Sequence, residues 1–362
     1  MTTADELGWG DPTAQRLERI TIGADAEVVG PLLADVLHDP RWETCDVALI
    51  SGGKSNLTYR IACDAGEVIL RRPPLGHILP TAHDMGREYT VMTALAGTAV
   101  PVPRTFHLGD ADNPLDASFY LMERVIGHVC RNGLPPGYAA AADDRRRIGE
   151  ALVDVLADLH TVDPAAVGLA EFGRPAGFME RQLRRWSQQW EASKTAALPA
   201  LDSLRDDLVA SLPEQQAGTI VHGDFRLDNT ILHPTEVGAI VAVLDWEMST
   251  LGDPLSDLGA MLAYWSEADD SEVLRRARIM APVTAAEGFP TRAEIVERYA
   301  RRTGADLSDI GWYQSFAYFK LAVVCQGIAA RAAGGSMVGG GFDQAEGLVA
   351  PLIEAGRQQL DS

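Results

Sequence analysis

Three oxygen-bearing side chains, Asp224, Asn229 and Asp245, have the types and spacing that phosphoryl transfer to an alcohol needs. The first two lie in IVHGDFRLDNTIL (220–232), which reads His-x-Asp-x-x-x-x-Asn, and the third lies in VAVLDWE (241–247). A carboxylate beside an incoming hydroxyl orients it and accepts its proton, the role open to Asp224. Mg2+ prefers hard oxygen ligands, and the Asn229 carboxamide and Asp245 carboxylate supply two. Apolar runs beside these residues read as strands, which fix the loop ends and so the separation of the side chains, with HPTEVG (233–238) as the turn between them. Singly, each residue has a plainer use. His222 reads as a buried histidine that supports the loop by hydrogen bonding, and an aspartate at a strand end is commonly a turn cap. The joint order and spacing of the three point to catalysis.

The elements that must position these groups fall into two regions. After a polar tail (1–18), residues 24–37 carry a helical apolar stripe. VALI (47–50), LTYRIA (57–62) and EVILRR (67–72) read as strands, the last two joined across Asp64-Ala65-Gly66. Residues 82–96 read as a helix ending at Gly97, Pro101 and Pro103 break the next stretch, and SFYLMERV (118–125) reads as a strand. From about residue 142 the pattern turns helical, interrupted by short strands at 219–221, 229–232 and 239–246, and residues 255–361 read as mostly helix. The glycine-rich stretch 334–342 reads as a loop. The expected fold is α+β with two lobes: a small β-rich N-lobe over 19–124, and a larger, mainly helical C-lobe over 125–362 that carries the catalytic loop, the metal site and an acceptor pocket.

Composition narrows the partners. With 31 basic against 51 acidic side chains the net charge is −20, which disfavours nucleic acid as a ligand. Cys45, Cys63, Cys130 and Cys325 are scattered, without metal-binding spacing, and read as free thiols of a reducing compartment. No apolar h-region opens the chain and no apolar run is long enough to span a bilayer. The expectation is a cytoplasmic protein acting on a small molecule, with no membrane partner; oligomeric state is not encoded in these features.

HGDFRLDN followed by LDWE resembles the aminoglycoside phosphotransferases, relatives of the choline kinases and protein kinases. SGGKSNLTYRI, VILRRPP, REYTVMTAL, YLMERVIG and GDPLSDLG extend the resemblance over about residues 40–330. It implies a protein-kinase-like fold that uses ATP and Mg2+, with Asp224 as catalytic base and Asn229 and Asp245 as metal ligands. It also implies that Gly52, Gly53, Ser55 and Asn56 cover the nucleotide, and that backbone groups around Glu123 and Val125 meet adenine. Asp253 and Asp257 would hold the catalytic loop or cap the following helix.

One position departs from the family. Arg71 and Arg72 stand where a lysine normally faces the phosphates. Side chains alternate along a strand, so only one of them can face the site. Val-Ile-Leu-Arg stands in the place of the family's usual apolar-apolar-apolar-Lys pattern, a resemblance that implies Arg71, with Glu88 as its partner. Arginine grips phosphate bidentately, so the change is compatible with ATP. Trp246-Glu247 follows Asp245 in place of Phe-Gly, and no Ala-Pro-Glu follows, which favours a small-molecule acceptor over a protein.

The acceptor itself stays open. VILRRPPLGHILPTAHDMGREY and ERQLRRWSQQW (180–190) resemble the kinase-like group fused ahead of acyl-CoA dehydrogenase domains. That implies the hydroxyl of a hydroxyacyl-CoA or related metabolite. Arg181, Arg184 and Arg185 crowd one helix and suit CoA phosphates. Trp186 and Trp190 are one helical turn apart and could line an acyl or adenine pocket; as core and solvated face the same residues need no ligand. Three other readings remain: an aminoglycoside 3'-type O-phosphotransferase, a nucleotide-binding pseudokinase, and a metal-dependent hydrolase using His222, Asp224, His233 and Asp245.

Overall fold

In a computed structural model of the chain, residues 17–18, 22–50, 56–75, 84–333 and 342–361 are described. In chain order the elements are β1 (Leu17–Glu18), α1 (Ala26–Val36), β2 (Asp46–Ile50), β3 (Leu57–Cys63), β4 (Gly66–Arg72), α2 (Met85–Leu95), β5 (Thr105–Gly109) and β6 (Phe119–Glu123). Then follow α3 (Ala142–Thr161), α4 (Phe178–Ser193), α5 (Pro199–Ala210), β7 (Thr219–Val221), β8 (Thr230–Leu232), β9 (Ile240–Val243) and β10 (Thr250–Gly252). The chain closes with α6 (Leu255–Tyr264), α7 (Glu272–Arg276), α8 (Arg292–Thr303), α9 (Ile310–Ala333) and α10 (Phe342–Leu360). This is an α+β, protein-kinase-like fold.

By their contacts the residues form two compact units. The first takes the described residues up to Val129 with Pro135–Tyr138 and Asn229–Ser249; the second takes Cys130–Leu134, Ala139–Asp228 and the rest of the chain from Thr250. The stretch 229–249, which the sequence reading assigns to the region after 124, thus groups with the first unit.

The first unit is built on a six-stranded sheet in the order β1-β2-β3-β4-β6-β5. Every pairing in it is antiparallel, and the β3–β4 hairpin closes at Cys63 and Gly66. Tyr59, Ile61, Leu70, Phe119 and Leu121 are buried in one core with Val29 and Leu33 of α1. α2 begins where Asp84 accepts the Arg87 amide at 3.0 Å, a side-chain cap that also puts Glu88 in the first turn. β8 and β9 form a second antiparallel pair, with Thr230 opposite Val243. β5 was hidden in the sequence because Pro101 and Pro103 read as breakers; the strand starts just after them.

The second unit is helical around α9, which packs against α4, α5, α6 and α10. The α6–α9 approach is close because Gly259 has no side chain: a Cβ there would stand 2.7 Å from the Tyr313 carbonyl carbon. β7 pairs with β10, Thr250 opposite Val221, and β7 delivers the chain into the loop that begins at His222. All four cysteines are free thiols. No helix among the described residues is long and apolar enough to cross a membrane.

Candidate active site

In the second unit the loop after β7 is held from behind by buried polar groups. Asp257, in the first turn of α6, accepts the amide of His222 at 2.6 Å and that of Gly223 at 2.7 Å. It also accepts from His160 Nε2 at 3.3 Å, and His160 Nδ1 meets the Tyr299 hydroxyl at 2.6 Å. Burial would raise the Asp257 pKa, but the His160 hydrogen bond and the His222 amide hold it below the usual carboxylate range. Gly223 has φ 86°, a left-handed conformation open to glycine at no steric cost, and it turns the loop toward Asp224. His222 is fully buried, and its Nδ1 accepts the Asp224 amide at 3.2 Å. Asp253 accepts from the amides of Leu255 (3.0 Å) and Gln216 (3.3 Å) and from the Tyr313 hydroxyl (2.8 Å). Asp257 therefore grips the loop, and Asp253 caps the start of α6.

Asp224 itself remains partly exposed among groups that sequence reasoning did not single out. Arg226 Nε lies 3.2 Å from Asp224 Oδ2 and 3.2 Å from Asp228 Oδ1, and its guanidinium stands 4.9 Å over the Tyr264 ring. The Tyr264 hydroxyl is hydrogen-bonded to Asp224, and burial raises its pKa. Burial also raises the pKa of Asp228, opposed by Arg226. A cavity beside this network is lined by Arg226, Asp228 and Tyr264 together with Leu152, Met261 and Met280. Arg226 and Asp228 stand inside the HGDFRLDN run itself, so their charge was a readable signal. Tyr264 lay too far along the chain to be linked to it.

In the first unit, Arg71 is the centre of a part-buried ionic cluster, with Glu88 sealed from water and Asp245 partly exposed. Its Nε is 3.1 Å from Glu88 Oε2 and its Nη2 is 2.7 Å from Asp245 Oδ1. The Arg71–Glu88 pair expected from strand alternation is thus formed. Arg72 points to the other face, is buried, and donates to the carbonyls of Gly23 and Leu115. Glu88 also accepts from the Tyr120 hydroxyl at 3.0 Å and from Asn56 Nδ2 at 2.9 Å. Burial pushes the Glu88 pKa up to about 7, against the pull of Arg71.

Asp245 is not the end of a strand, as the sequence suggested. β9 stops at Val243, and Asp245 has φ 68°, a left-handed conformation that aspartate tolerates better than most residues. The departure from strand geometry is itself informative, since strained backbone persists where the surroundings impose it. The Leu244 amide donates to the Asn229 carbonyl at 2.8 Å, which ties the backbone just before Asp245 to Asn229. A carboxylate and a carboxamide on adjoining backbone are oxygen donors of the kind Mg2+ takes, so this donor set fits the ion.

Other expected site residues fare differently. Gly52, Gly53 and Ser55 lie outside the described residues, as does nearly all of the 334–342 loop. Asn56, expected on the nucleotide side, donates its amide to Glu88 and to Glu247 Oε2, the latter at 3.2 Å. The Glu123 amide donates to the Arg104 carbonyl at 2.8 Å, so that amide is committed within the unit; Val125 lies just past the end of β6. Arg181 donates to the carbonyls of Arg174 and Ala176, and Arg184 pairs with Glu180 at 2.9 Å. Of the three α4 arginines, Arg185 is the one that stands against Trp186, 5.8 Å from its ring. Trp190 is core: it is fully buried and donates to Asp202 at 2.8 Å. Metal ligation by His233 is disfavoured, because its Nδ1 accepts the amides of Thr235 and Glu236 inside the turn.

Residues 46–300 match the family described as "Phosphotransferase enzyme family". The chain belongs to that family. This phosphotransferase is 36% identical over 304 residues to acyl-CoA dehydrogenase family member 10 of Mus musculus, covering 83% of the chain and 28% of the relative. The chain spans about two fifths or less of the length of the curated relatives it matches. A solved protein of Ralstonia eutropha, named for the aminoglycoside phosphotransferases, superposes with TM-score 0.74 at 35% identity, over 88% of this chain and 92% of that one. A thermostable mutant of aminoglycoside phosphotransferase APH(4)-Ia, solved with ADP and hygromycin B, shares the fold with TM-score 0.57 at 14% identity, over 91% and 98% of the two chains.

Proposed function

We propose that this phosphotransferase moves the γ-phosphate of Mg2+-ATP to a hydroxyl of a small molecule. The observation that carries the reading is the Arg71 cluster. One guanidinium, fixed by Glu88, is aimed at the Asp245 carboxylate, and Asp245 is tied through its neighbour to Asn229. A part-buried ionic cluster of this kind has a desolvation cost, and a bound triphosphate with its metal is a natural counterpart for its charges. Asn229 and Asp245 would hold the Mg2+ ion, which when bound neutralises charge on the phosphate oxygens. Asp224 would accept the proton of the acceptor hydroxyl. Arg226 and Tyr264 orient its carboxylate, and Asp257 fixes the loop that carries it. The glycines at 52 and 53 with Ser55 would cover the phosphates, and backbone near Glu123 and Val125 would meet adenine. The ADP-bound state of the APH(4)-Ia relative supports a nucleotide substrate.

For the acceptor we favour a hydroxyacyl thioester or related metabolite over an aminoglycoside. The cavity beside Asp224 has Leu152, Met261 and Met280 in its wall and Arg226 at its polar side. Polyamine sugars call for carboxylates, and Asp228, which lines this cavity, is already opposed by Arg226. The relatives' acyl-CoA dehydrogenase names point to acyl chemistry in the same proteins. The test is a side-by-side kinase assay with Mg2+-ATP. Phosphorylation of 4-hydroxyacyl-CoA is expected; robust phosphorylation of kanamycin-type sugars with none of the thioester would overturn the acceptor and leave the phosphotransferase reading intact. Nucleotide binding with no transfer to any alcohol would favour a pseudokinase.

A further inference from the structure

Lys320 is the lone charge in the apolar run SFAYFKLAVV of α9, and it lies beyond residues 46–300 that match the family. It is only partly exposed, and its Nζ reaches back to the Gly223 carbonyl at 3.3 Å while lying 5.6 Å from the Trp186 ring. We propose that Lys320 is a positioning residue for Asp224, clamping the carbonyl of Gly223 while Asp257 clamps the amides of His222 and Gly223. The proposal rests on Asp224 acting on the acceptor.

The geometry gives the clamp its logic. The turn at Gly223 offers two amides and a carbonyl. A carboxylate satisfies the first and an ammonium the second, so the direction of the Asp224 side chain is fixed by two opposite charges from two helices, α6 and α9. Trp186 of α4 supplies a π face for the ammonium where water is scarce. The charged and titratable groups acting on Lys320 are Asp224 and Arg226 of the loop, Asp257 of α6 and Arg185 of α4. Burial lowers the Lys320 pKa, while Asp224 and Asp257 oppose that loss of charge. A lysine retained at this desolvation cost in an apolar helix needs a use for its charge, and these contacts provide one.

The test compares wild type, Lys320→Met and Lys320→Arg in two measurements. The first is hydrogen exchange of the peptide spanning 220–226, which needs no substrate. Lys320→Met should raise exchange there, with α8 unchanged as an internal control, and Lys320→Arg should restore protection. The second is steady-state hydrolysis of Mg2+-ATP with water as acceptor. Lys320→Met should lower kcat on the order of 10–100-fold, with the KM for ATP within about twofold of wild type, and Lys320→Arg should recover most of the loss. A merely structural lysine would lower kcat, raise KM and lower Tm together, and that result overturns the proposal. So does unchanged exchange over 220–226 in Lys320→Met. If wild type neither hydrolyses ATP nor transfers phosphate to any alcohol offered, the phosphotransfer reading fails, while the exchange data still decide whether Lys320 holds the loop.

Discussion

Replacing Arg71 with methionine should destabilise the protein in a strongly pH-dependent way. Methionine keeps most of the side-chain volume and removes the charge. Glu88 is 1% exposed, so its carboxylate loses the cation paired with it in a place water does not reach. With Arg71 present the Glu88 pKa is about 7, raised from an ordinary value of 4.5 chiefly by burial. The sign follows from linkage. A carboxyl whose folded pKa is raised contributes stability that is complete below the unfolded value and is lost as pH rises through the folded one. Without Arg71 the folded value moves higher still, so the two proteins diverge above pH 7. At pH 6 Glu88 is largely protonated in both, and the loss is the Asp245 contact and some packing, about 1–2 kcal/mol. At pH 8.5 the wild-type pair is ionised and breaking it costs about 4 kcal/mol. At roughly 2.1 cal/mol/K per residue of unfolding entropy, this is a fall in Tm of about 5 °C at pH 8.5 and about 2 °C at pH 6. Differential scanning fluorimetry at the two pH values reads it. Adding Glu88→Gln should recover much of the pH 8.5 loss, because the neutral amide needs no cation while Asn56 and Tyr120 remain as hydrogen-bond partners. A loss equal at both pH values, or a double variant whose Tm falls by the sum of the single losses, would refute the reasoning.

Mg2+-ATP at about 100 times its dissociation constant should stabilise the fold by roughly 2.7 kcal/mol, seen as a rise in Tm; no shift at saturating nucleotide would count against nucleotide binding. Asp224→Asn should leave that shift intact and lower turnover by about 10²–10⁴, whereas Asp245→Asn should abolish the Mg2+ dependence of the shift. Wild-type turnover in Asp224→Asn would remove it as base. Trp190→Ala should cost about 3–5 kcal/mol as a core cavity, and Trp186→Ala about 1 kcal/mol or less; equal losses in thermal melts would contradict their different burial.

The legible features were those that depend on local spacing. The loop from His222 to Asn229 was legible because its residue types are rare in combination and strands flank it. Arg71 was separable from Arg72 because a strand's two faces alternate and Val-Ile-Leu-Arg stands in the place of the family's apolar-apolar-apolar-Lys pattern. The features that stayed hidden share a cause: spacing tells which residues share a face, not what that face meets. Trp186 and Trp190 do lie one turn apart on α4, yet one is half-buried beside Lys320 and the other is sealed against Asp202. Arg181 reads with Arg184 and Arg185 as suited to CoA phosphates; its contacts with backbone carbonyls of the preceding loop are invisible to pattern reasoning. Asn56 donates to Glu88 of α2, a partner that no local pattern could show.

The same limit explains why Asp257 and Lys320 differed in legibility although they grip the same turn. Asp257 sits in GDPLSDLG, a polar cluster close behind the metal motif, so its support of the loop was a natural reading. Lys320 stands almost a hundred residues beyond Gly223, in a helix whose apolar pattern marks it as core. Its signal is negative in form: a charge where periodicity leaves no place for one. A buried charge is expensive, so a chain keeps it only where an opposite charge or a carbonyl needs it. In this phosphotransferase that carbonyl belongs to the residue just before Asp224, and a single lysine far outside the motif thereby bears on the direction of the carboxylate at its centre.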